Sequence, residues 1–291
     1  MSMSTHLFND IIDRRTEQTG VLPAARAVEV YLLDVLDRIC SQNGLRYWLD
    51  FGTLLGACRH GGFIPWDDDI DVSMPIEDYR RLKRIAAEVL PDGIAIKDMA
   101  TAPNPKHSYL KLVDLKSFYL EEGTDVRNPC GIFIDIFPYI AAPRLPGKII
   151  NLICWIQYTA SRHAGDCLGK LRRSGLLKMC DCAMFMFYRA VRFWVGCFYD
   201  ILVLFLKSDY IRPGKDFASR FLLDKKEVYP LGKVLFEGKI YSSPAMPDVV
   251  LEKEYGDWRT LPPEDKRYRH ATIICPWLTP EEAQSIPGNR K

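Results

Sequence analysis

Three adjacent aspartates and a fourth two places on lie near the end of one largely apolar segment, YWLDFGTLLGACRHGGFIPWDDDIDVSMP. They are Asp67, Asp68, Asp69 and Asp71. In an extended chain Asp67, Asp69 and Asp71 point to one face, where alternate residues lie about 7 Å apart. Asp68 points to the other face and is the weakest ligand candidate. Carboxylates that repel one another at this spacing favour a divalent cation, and oxygen ligands select Mg²⁺ or Mn²⁺. A solvated acidic turn after Pro65 is the alternative.

A second acidic position lies in the apolar segment GIFIDIFP, where Asp135 has large hydrophobic neighbours on both sides. A lone carboxylate in such a strand costs several kcal/mol unless it is paired or bound to metal. Because no basic residue lies beside it in the sequence, its partner must come from elsewhere in the fold. Asp135 is therefore predicted to join the aspartates of the first segment.

A phosphate site is predicted upstream of the aspartates, where the small pair Gly52 and Thr53 follows a strand and opens a helix. Backbone N–H groups at a helix N-terminus bind phosphate, and glycine allows its close approach. Arg59, seven positions along, could bind a diphosphate as a bidentate donor. The alternative for Arg59 is a surface ion pair.

Composition limits the classes of partner and the compartment. The net charge of +2 and the pI near 8.0 argue against a nucleic-acid partner, which usually requires a stronger basic excess. The nine cysteines are an odd number, and the first 20 residues are polar and charged. We therefore expect free thiols and a reducing compartment. We also expect a cytoplasmic protein, which would lie at the inner face of the membrane where it contacts lipid.

Helical and strand patterns alternate up to about residue 140, which predicts an α/β (α+β) fold with a mixed sheet and flanking helices. Strands are expected at 69–74, closed by Pro75, and at 131–137, ending at Pro138. A helix should begin at Leu54. The chain divides into an N-terminal helical segment (1–44), a catalytic core (45–147), a helical insert (148–223) and a C-terminal segment that completes the donor pocket (224–291).

The insert contains an unusually apolar stretch at 179–206, in which aromatic residues alternate with arginines. Its charged residues interrupt any run long enough to span a bilayer, which needs about 20 apolar residues. Two interpretations stay open. The helix is buried in a helical subdomain, or it lies at a membrane surface as a peripheral contact.

Taken together, the Gly-Thr turn, the alternating pair Asp69 and Asp71 and the later Asp135 resemble the nucleotidyltransferase superfamily of the polymerase-β kind. The two long blocks at 47–74 and 131–138, followed by EKEYGDW and a late histidine, resemble the LicD family. That family includes bacterial phosphocholine transferases and, more distantly, the fukutin group that transfers ribitol phosphate. The resemblance implies a mixed sheet that carries two Mg²⁺ or Mn²⁺ ions.

The resemblance also implies an activity: metal-dependent transfer of a phospho-alcohol group, most of all phosphocholine, from a CDP-linked donor to a sugar hydroxyl. The acceptor would be a cell-surface or lipid-linked glycan, and CMP would be released. Asp69 and Asp71 would hold the metals, and Asp135 would be the third ligand or the base, with Asp67 sharing either duty. Further substrate-binding positions are implied at Lys111, Asp257 and His270.

Two rival functions remain at this stage. One is a nucleotidyltransferase that uses a nucleoside triphosphate, although Arg59 and His60 are the only basic residues between the Gly-Thr turn and the aspartates. The other is a catalytically silent scaffold that docks at a membrane. A scaffold would have no reason to keep so costly a cluster of carboxylates.

Overall fold

The structure is a computed structural model that describes residues 8, 10–99, 109–121, 130–170, 176–215, 217, 221–267, 269, 271–279 and 282. Its helices are α1 (Val21–Asn43), α2 (Phe51–His60), α3 (Ile76–Val89), α4 (Gly147–Lys170), α5 (Leu176–Phe205), α6 (Lys225–Val228) and α7 (Pro247–Tyr255). Its strands are β1 (Trp48–Leu49), β2 (Asp71–Pro75), β3 (Ile94–Asp98), β4 (Leu110–Asp114), β5 (Phe118–Glu121), β6 (Phe133–Ala141), β7 (Tyr210–Pro213), β8 (Leu223–Asp224), β9 (Gly232–Phe236), β10 (Lys239–Ser243) and β11 (Ala271–Cys275).

A mixed sheet forms the centre of the fold, with the strand order β1-β2-β6-β4-β3 and with β7 and β8 continuing from β6. The pair β2–β6 is parallel and the other pairs are antiparallel. Two smaller pairs, β5–β11 and β9–β10, lie beside it. The predicted mixed sheet with flanking helices is confirmed.

Helix α1 packs its apolar side into the main core, since Val28, Leu32, Val35 and Leu36 recur at helical spacing and are all fully buried. The helix ends at Gly44, whose φ of 60° is the left-handed conformation that glycine adopts readily at this position. This helix lies behind the strands that carry the aspartates, so it fixes the back of the site.

Three elements have bounds that differ from the prediction. Helix α2 begins at Phe51, so Gly52 and Thr53 lie in its first turn. Strand β2 begins only at Asp71, and residues 67–70 form an irregular connection. Strand β6 continues through Pro138 to Ala141, because β7 pairs with its second half and Gly214 donates a hydrogen bond to the Pro138 carbonyl (2.9 Å).

Helices α4 and α5 form a long helical hairpin with its own small core, which includes Ile150, Cys154 and Tyr199. The Gln157 amide donates to the Arg192 carbonyl (2.8 Å), and the His163 and Tyr188 rings stack at 5.1 Å. The hairpin is attached to the sheet by the Tyr199 hydroxyl, which donates to the Ala141 carbonyl (2.9 Å). Over the described residues, none of the helices combines the length and the apolar character needed to span a membrane.

Candidate active site

Three adjacent strands bring Asp71, Asp135 and Lys111 into one row. Asp71 of β2 is the register partner of Asp135 on the parallel strand β6, and Lys111 of β4 is the register partner of Asp135 on the other side. The Lys111 Nζ lies 3.3 Å from Asp135 Oδ1, and both residues are buried. Lys111 is thus the partner for Asp135 that the sequence required but could not identify.

The connection before β2 is held in place by a half-buried arginine from α1. The Arg26 guanidinium donates to the carbonyls of Asp67 (2.7 Å) and Ile64 (2.8 Å). The Asp68 carboxylate turns to the opposite side, where it accepts a hydrogen bond from the Ala271 amide (2.9 Å). These contacts leave Asp67 and Asp69 facing the same side as Asp71, although the segment is not a strand.

The first turn of α2 lies directly against this connection. Phe51 has a φ of 47°, a strained conformation for a residue with a side chain, and such strain is concentrated at functional sites. A Cβ atom at Gly52 would meet Asp67 Oδ2 at 3.0 Å, so glycine is what allows the carboxylate to approach the helix. The Thr53 hydroxyl is buried and accepts a hydrogen bond from the Asp71 amide (2.8 Å).

A cavity of about 920 Å³ opens over these elements. Its acidic lining residues are Asp67, Asp69, Asp71, Asp135 and Asp257. Its basic lining residues are Arg59 and Lys266. Its aromatic lining residues are Phe51, Trp66, Phe137, Phe217, Tyr255 and Trp258. Because acidic groups outnumber basic ones, an anionic diphosphate could bind here only together with additional positive charge.

The crowding of the carboxylates shifts their proton affinities. Burial, and then the charge of Asp69, raise the pKa of Asp67 to about 8. Burial, followed by the charges of Asp69, Asp135 and Asp67, raises the pKa of Asp71 well above its usual value. Each charged carboxylate therefore makes the next one harder to ionise, and a bound cation would relieve this repulsion.

Buried acids also lie behind the cavity. Burial raises the pKa of Asp50 to about 6, although hydrogen bonds such as the one from the Ser73 hydroxyl (2.6 Å) oppose this rise. Burial and then the charge of Asp50 raise the pKa of Glu254 to about 9. Burial and the charges of the aspartates in the connection raise the pKa of Glu29, on α1, well above its usual value. The raised pKa values of Glu29 and Glu254 favour their neutral forms, which limits the negative charge behind the site.

The donor set fits a hard divalent cation, because the carboxylate oxygens of Asp67, Asp69, Asp71 and Asp135 share one cavity and repel one another. They do not form a finished metal cage: across the described residues, no group of three or more His, Cys, Asp or Glu side chains is arranged to hold an ion as it stands. Asp135 instead points to Lys111. The predicted metal site and its ligands remain proposals.

The other predicted site residues are distributed as follows. Arg59 lines the cavity, but its Nη1 donates to the Trp258 carbonyl (2.8 Å), which ties α2 to the segment after α7. Asp257 lines the cavity and accepts a hydrogen bond from the Thr260 hydroxyl (2.6 Å). Lys111 is absent from the cavity wall and lies beneath it. His270 lies outside the described residues.

Sequence reasoning missed the aromatic wall on the side of β6. The Phe137 ring packs edge-on against Phe51 (5.1 Å) and Phe217 (5.4 Å). The only signal available beforehand was the position of Phe137, two residues after Asp135 on the same face of a strand. Nothing in the sequence indicated that Phe217 would join them, because it follows the hairpin and is distant along the chain.

Comparisons with known proteins find similarity over the part of the chain that carries the aspartates. Residues 44–160 match the family model described as LicD/FKTN/FKRP, nucleotidyltransferase domain. The chain is 28% identical to Lipopolysaccharide cholinephosphotransferase LicD of Haemophilus influenzae over 259 residues, which cover 82% of this chain and 91% of that protein.

Two further relatives match this chain over shorter regions. The human Ribitol 5-phosphate transferase FKRP is 47% identical over 64 residues, 22% of this chain and 12% of that protein. The mouse Ribitol-5-phosphate transferase FKTN is 30% identical over 106 residues, 36% of this chain and 19% of that protein. The resemblance seen in the sequence motifs is therefore confirmed: residues 44–160 match the LicD/FKTN/FKRP domain, most of the chain is similar to a LicD protein, and shorter regions are similar to members of the fukutin group.

Proposed function

We propose that this chain transfers a phospho-alcohol group, phosphocholine in the first place, from a CDP-linked donor to a sugar hydroxyl of a surface or lipid-linked glycan, with release of CMP. The observation that carries the proposal is the alignment of Asp71, Asp135 and Lys111 on three adjacent strands. Asp71 and Asp135 line an acidic cavity together with Asp67 and Asp69, and Lys111 lies beneath it. The Haemophilus relative, named as a cholinephosphotransferase, matches most of this chain and supports this choice.

Asp69 and Asp71 would hold two Mg²⁺ or Mn²⁺ ions, the number that the resemblance to the LicD family implies, and Asp135 would be the third ligand or the base. The ions would neutralise the charge of the donor diphosphate and polarise its phosphorus. The backbone N–H groups in the first turn of α2, which contains Gly52, would donate hydrogen bonds to phosphate oxygens. Arg59 and Lys266 would add positive charge at the cavity wall.

The Asp135 carboxylate would accept the proton of the attacking sugar hydroxyl. Lys111 would act as a positioning residue, since it lies 3.3 Å from Asp135 and its ammonium group also lies 3.1 Å from the Phe133 ring centre. This buried contact holds the carboxylate at one place in the row. A divalent cation held by the neighbouring aspartates would acidify the hydroxyl, so a carboxylate would be a sufficient base for this proton transfer.

The aromatic wall favours choline over a neutral polyol as the alcohol. Phe51, Phe137 and Phe217 lie next to the acidic floor and together offer the ring faces and edges of an aromatic cluster. Quaternary ammonium groups are bound by such clusters through cation–π attraction, whereas ribitol would gain little from them. The nearby carboxylates add further attraction for a cation.

The test measures CMP release from purified protein with Mg²⁺ and, in parallel, CDP-choline, CDP-ethanolamine, CDP-glycerol and CDP-ribitol. We expect CDP-choline to be the best donor and Asp69→Asn to reduce kcat by about a thousandfold, since metal-assisted charge stabilisation contributes several kcal/mol. Asp92→Asn, an exposed aspartate before β3, is the matched control and should retain full activity.

The same assay identifies the rival functions. Pyrophosphate release from CTP and phosphocholine would overturn the proposal in favour of a nucleotidyltransferase. No turnover with any donor, together with no calorimetric signal for Mg²⁺ or Mn²⁺, would favour the silent scaffold.

Phe217→Ala should raise the KM for CDP-choline several-fold more than the KM for CDP-glycerol, because it removes one ring of the wall.

A further inference from the structure

The outward face of α5 is covered by large apolar side chains. Phe187, Trp194, Phe198, Ile201 and Phe205 follow one another at helical spacing and are all exposed, with Trp194 at 69% and Phe205 at 77% of their full accessible surface. On α4, Leu152 and Trp155 are exposed as well. A contiguous apolar patch of this kind on a protein surface marks an interaction site.

The opposite face of α5 is already occupied by the hairpin's own contacts. Tyr199 is buried and bonded to the sheet, and Tyr188 stacks on His163 of α4. The exposed residues Phe187, Trp194, Phe198, Ile201 and Phe205 therefore do not serve the packing of α5 on α4. They form a separate surface, which we call the outer face of the hairpin.

Charge distinguishes the possible occupants of this outer face. Residues 144–207 contain ten Lys and Arg against three Asp and no Glu, whereas the whole chain contains 39 against 37. Of the three acids, Asp200 is paired with Lys215 at 2.5 Å. Arg189 lies exposed beside the aromatic residues, with its guanidinium 5.5 Å from the Phe185 ring.

We propose that the outer face of the hairpin docks on the surface of an anionic phospholipid bilayer. The apolar residues would enter the boundary between headgroups and acyl chains, while the basic residues would contact the anionic headgroups. A second copy of the chain fits this face less well, because two segments with the same excess of positive charge repel each other.

Docking here would place lipid next to the active site. Lys215 donates to the Gly196 carbonyl of α5 (3.3 Å), and Phe217, two residues further, forms part of the cavity wall. The buried Arg212 supports the same segment by donating to the Phe217 carbonyl (2.9 Å). A lipid-linked acceptor would thus be held near the cavity, but the docking itself does not depend on the proposed chemistry.

The test is flotation of the full chain with vesicles of phosphatidylcholine alone or mixed with phosphatidylglycerol, without donor or metal. We expect binding to the mixed vesicles only, and weaker binding at high salt. The double variant Phe187→Glu/Phe198→Glu should bind at least about tenfold more weakly, because two charges would enter the apolar boundary. Arg189→Ala should weaken binding about fivefold.

The matched control is Leu235→Glu/Ile240→Glu, which places the same two charges on an exposed cross-strand pair of the β9–β10 hairpin and should bind normally. Circular dichroism checks that both double variants fold. Equal binding to neutral and anionic vesicles would overturn the proposal. The proposal would also be overturned if the chain did not bind vesicles and instead formed a dimer that Phe187→Glu/Phe198→Glu converts to a monomer, as measured by sedimentation. Because CMP release is measured separately, failure of docking is distinct from failure of the enzymatic proposal.

Discussion

The acidic site and the α4–α5 hairpin distribute charge and apolar surface in opposite ways. At the site, ionisable groups such as Asp71 and Lys111 are enclosed by the sheet and by α1 and α2. In the hairpin, aromatic residues such as Trp194 and Phe205 face outward. A buried charge and an exposed aromatic surface both raise the free energy of the isolated chain.

The comparison shows how the free-energy cost of a buried charge or of an exposed aromatic surface is compensated in each region. At the site, part of the compensation is internal, since Lys111 pairs with Asp135 and burial raises the pKa of Asp71, which favours its neutral form. A cation would supply the rest. In the hairpin, the described residues give no internal cover for the outer face, and the proposed contact with a bilayer would supply it. The predictions below test this contrast, from the largest effect to the smallest.

Removing the internal counter-charge at the site should have the largest effect on stability. Lys111→Met leaves Asp135 as a buried carboxylate without its ion pair, and we expect a loss of about 3 kcal/mol in the free energy of unfolding. Urea denaturation measures this loss. Lys97→Met, at the exposed register partner on β3, is the control and should change stability by less than about 0.5 kcal/mol. Equal effects of the two changes would contradict the contrast.

A smaller effect is expected from crowding the aspartates without changing any charge. Gly52→Ala places a methyl group 3.0 Å from Asp67 Oδ2, so the carboxylate must move. We expect CMP release to fall about tenfold, because small displacements at a reacting centre are costly, while the thermal midpoint is retained. Gly147→Ala, at the first residue of α4, meets only Leu222 Cδ1 at 3.9 Å and serves as the control. Unchanged activity of Gly52→Ala would show that Asp67 need not hold this position.

The buried acids behind the cavity should make stability depend on pH. The pKa of Glu254 is about 9 in the folded chain, against 4.5 for an ordinary Glu, so the folded state binds its proton more tightly. Its stabilising contribution is full below about pH 4.5 and is lost as pH rises through about 9. Glu254→Gln should therefore be more stable than the native chain near pH 8.5, by at least about 1 kcal/mol, and similar to it near pH 4.5.

Urea unfolding at these two pH values measures the Glu254 effect. Glu252→Gln, an exposed position on the same helix, should leave the pH dependence unchanged. A Glu254→Gln chain whose stability advantage is the same at both pH values would contradict the assignment of this proton.

The smallest effect is expected when a change in one region is assayed for the property of the other region. Phe187→Glu/Phe198→Glu should change CMP release from a soluble donor by less than about twofold, since both side chains lie on the outer face and away from the cavity lining. Conversely, Asp69→Asn should bind anionic vesicles like the native chain. A large loss of soluble activity in the hairpin variant would mean that the two regions are coupled.

Much of the site could be predicted because its carboxylates lie in two short segments with regular spacing. The facing of Asp67, Asp69 and Asp71 toward one side followed from alternation, and this arrangement is found in the structure even though β2 begins only at Asp71. The positions of Arg26 and Lys111 could not be predicted in the same way. Arg26 is 41 residues from Asp67, and Lys111 has a local pattern of an ordinary strand residue.

The amino-acid sequence by itself determined the family, the alternation of helices and strands, and the acidic residues that must be compensated, because these depend on residue type and local spacing. Only the tertiary structure decided that β6 lies between β2 and β4, which aligns Asp71, Asp135 and Lys111. It also decided which side of α5 is covered and which is exposed. Strand order and helix docking are set by contacts between distant segments, and no local pattern encodes them.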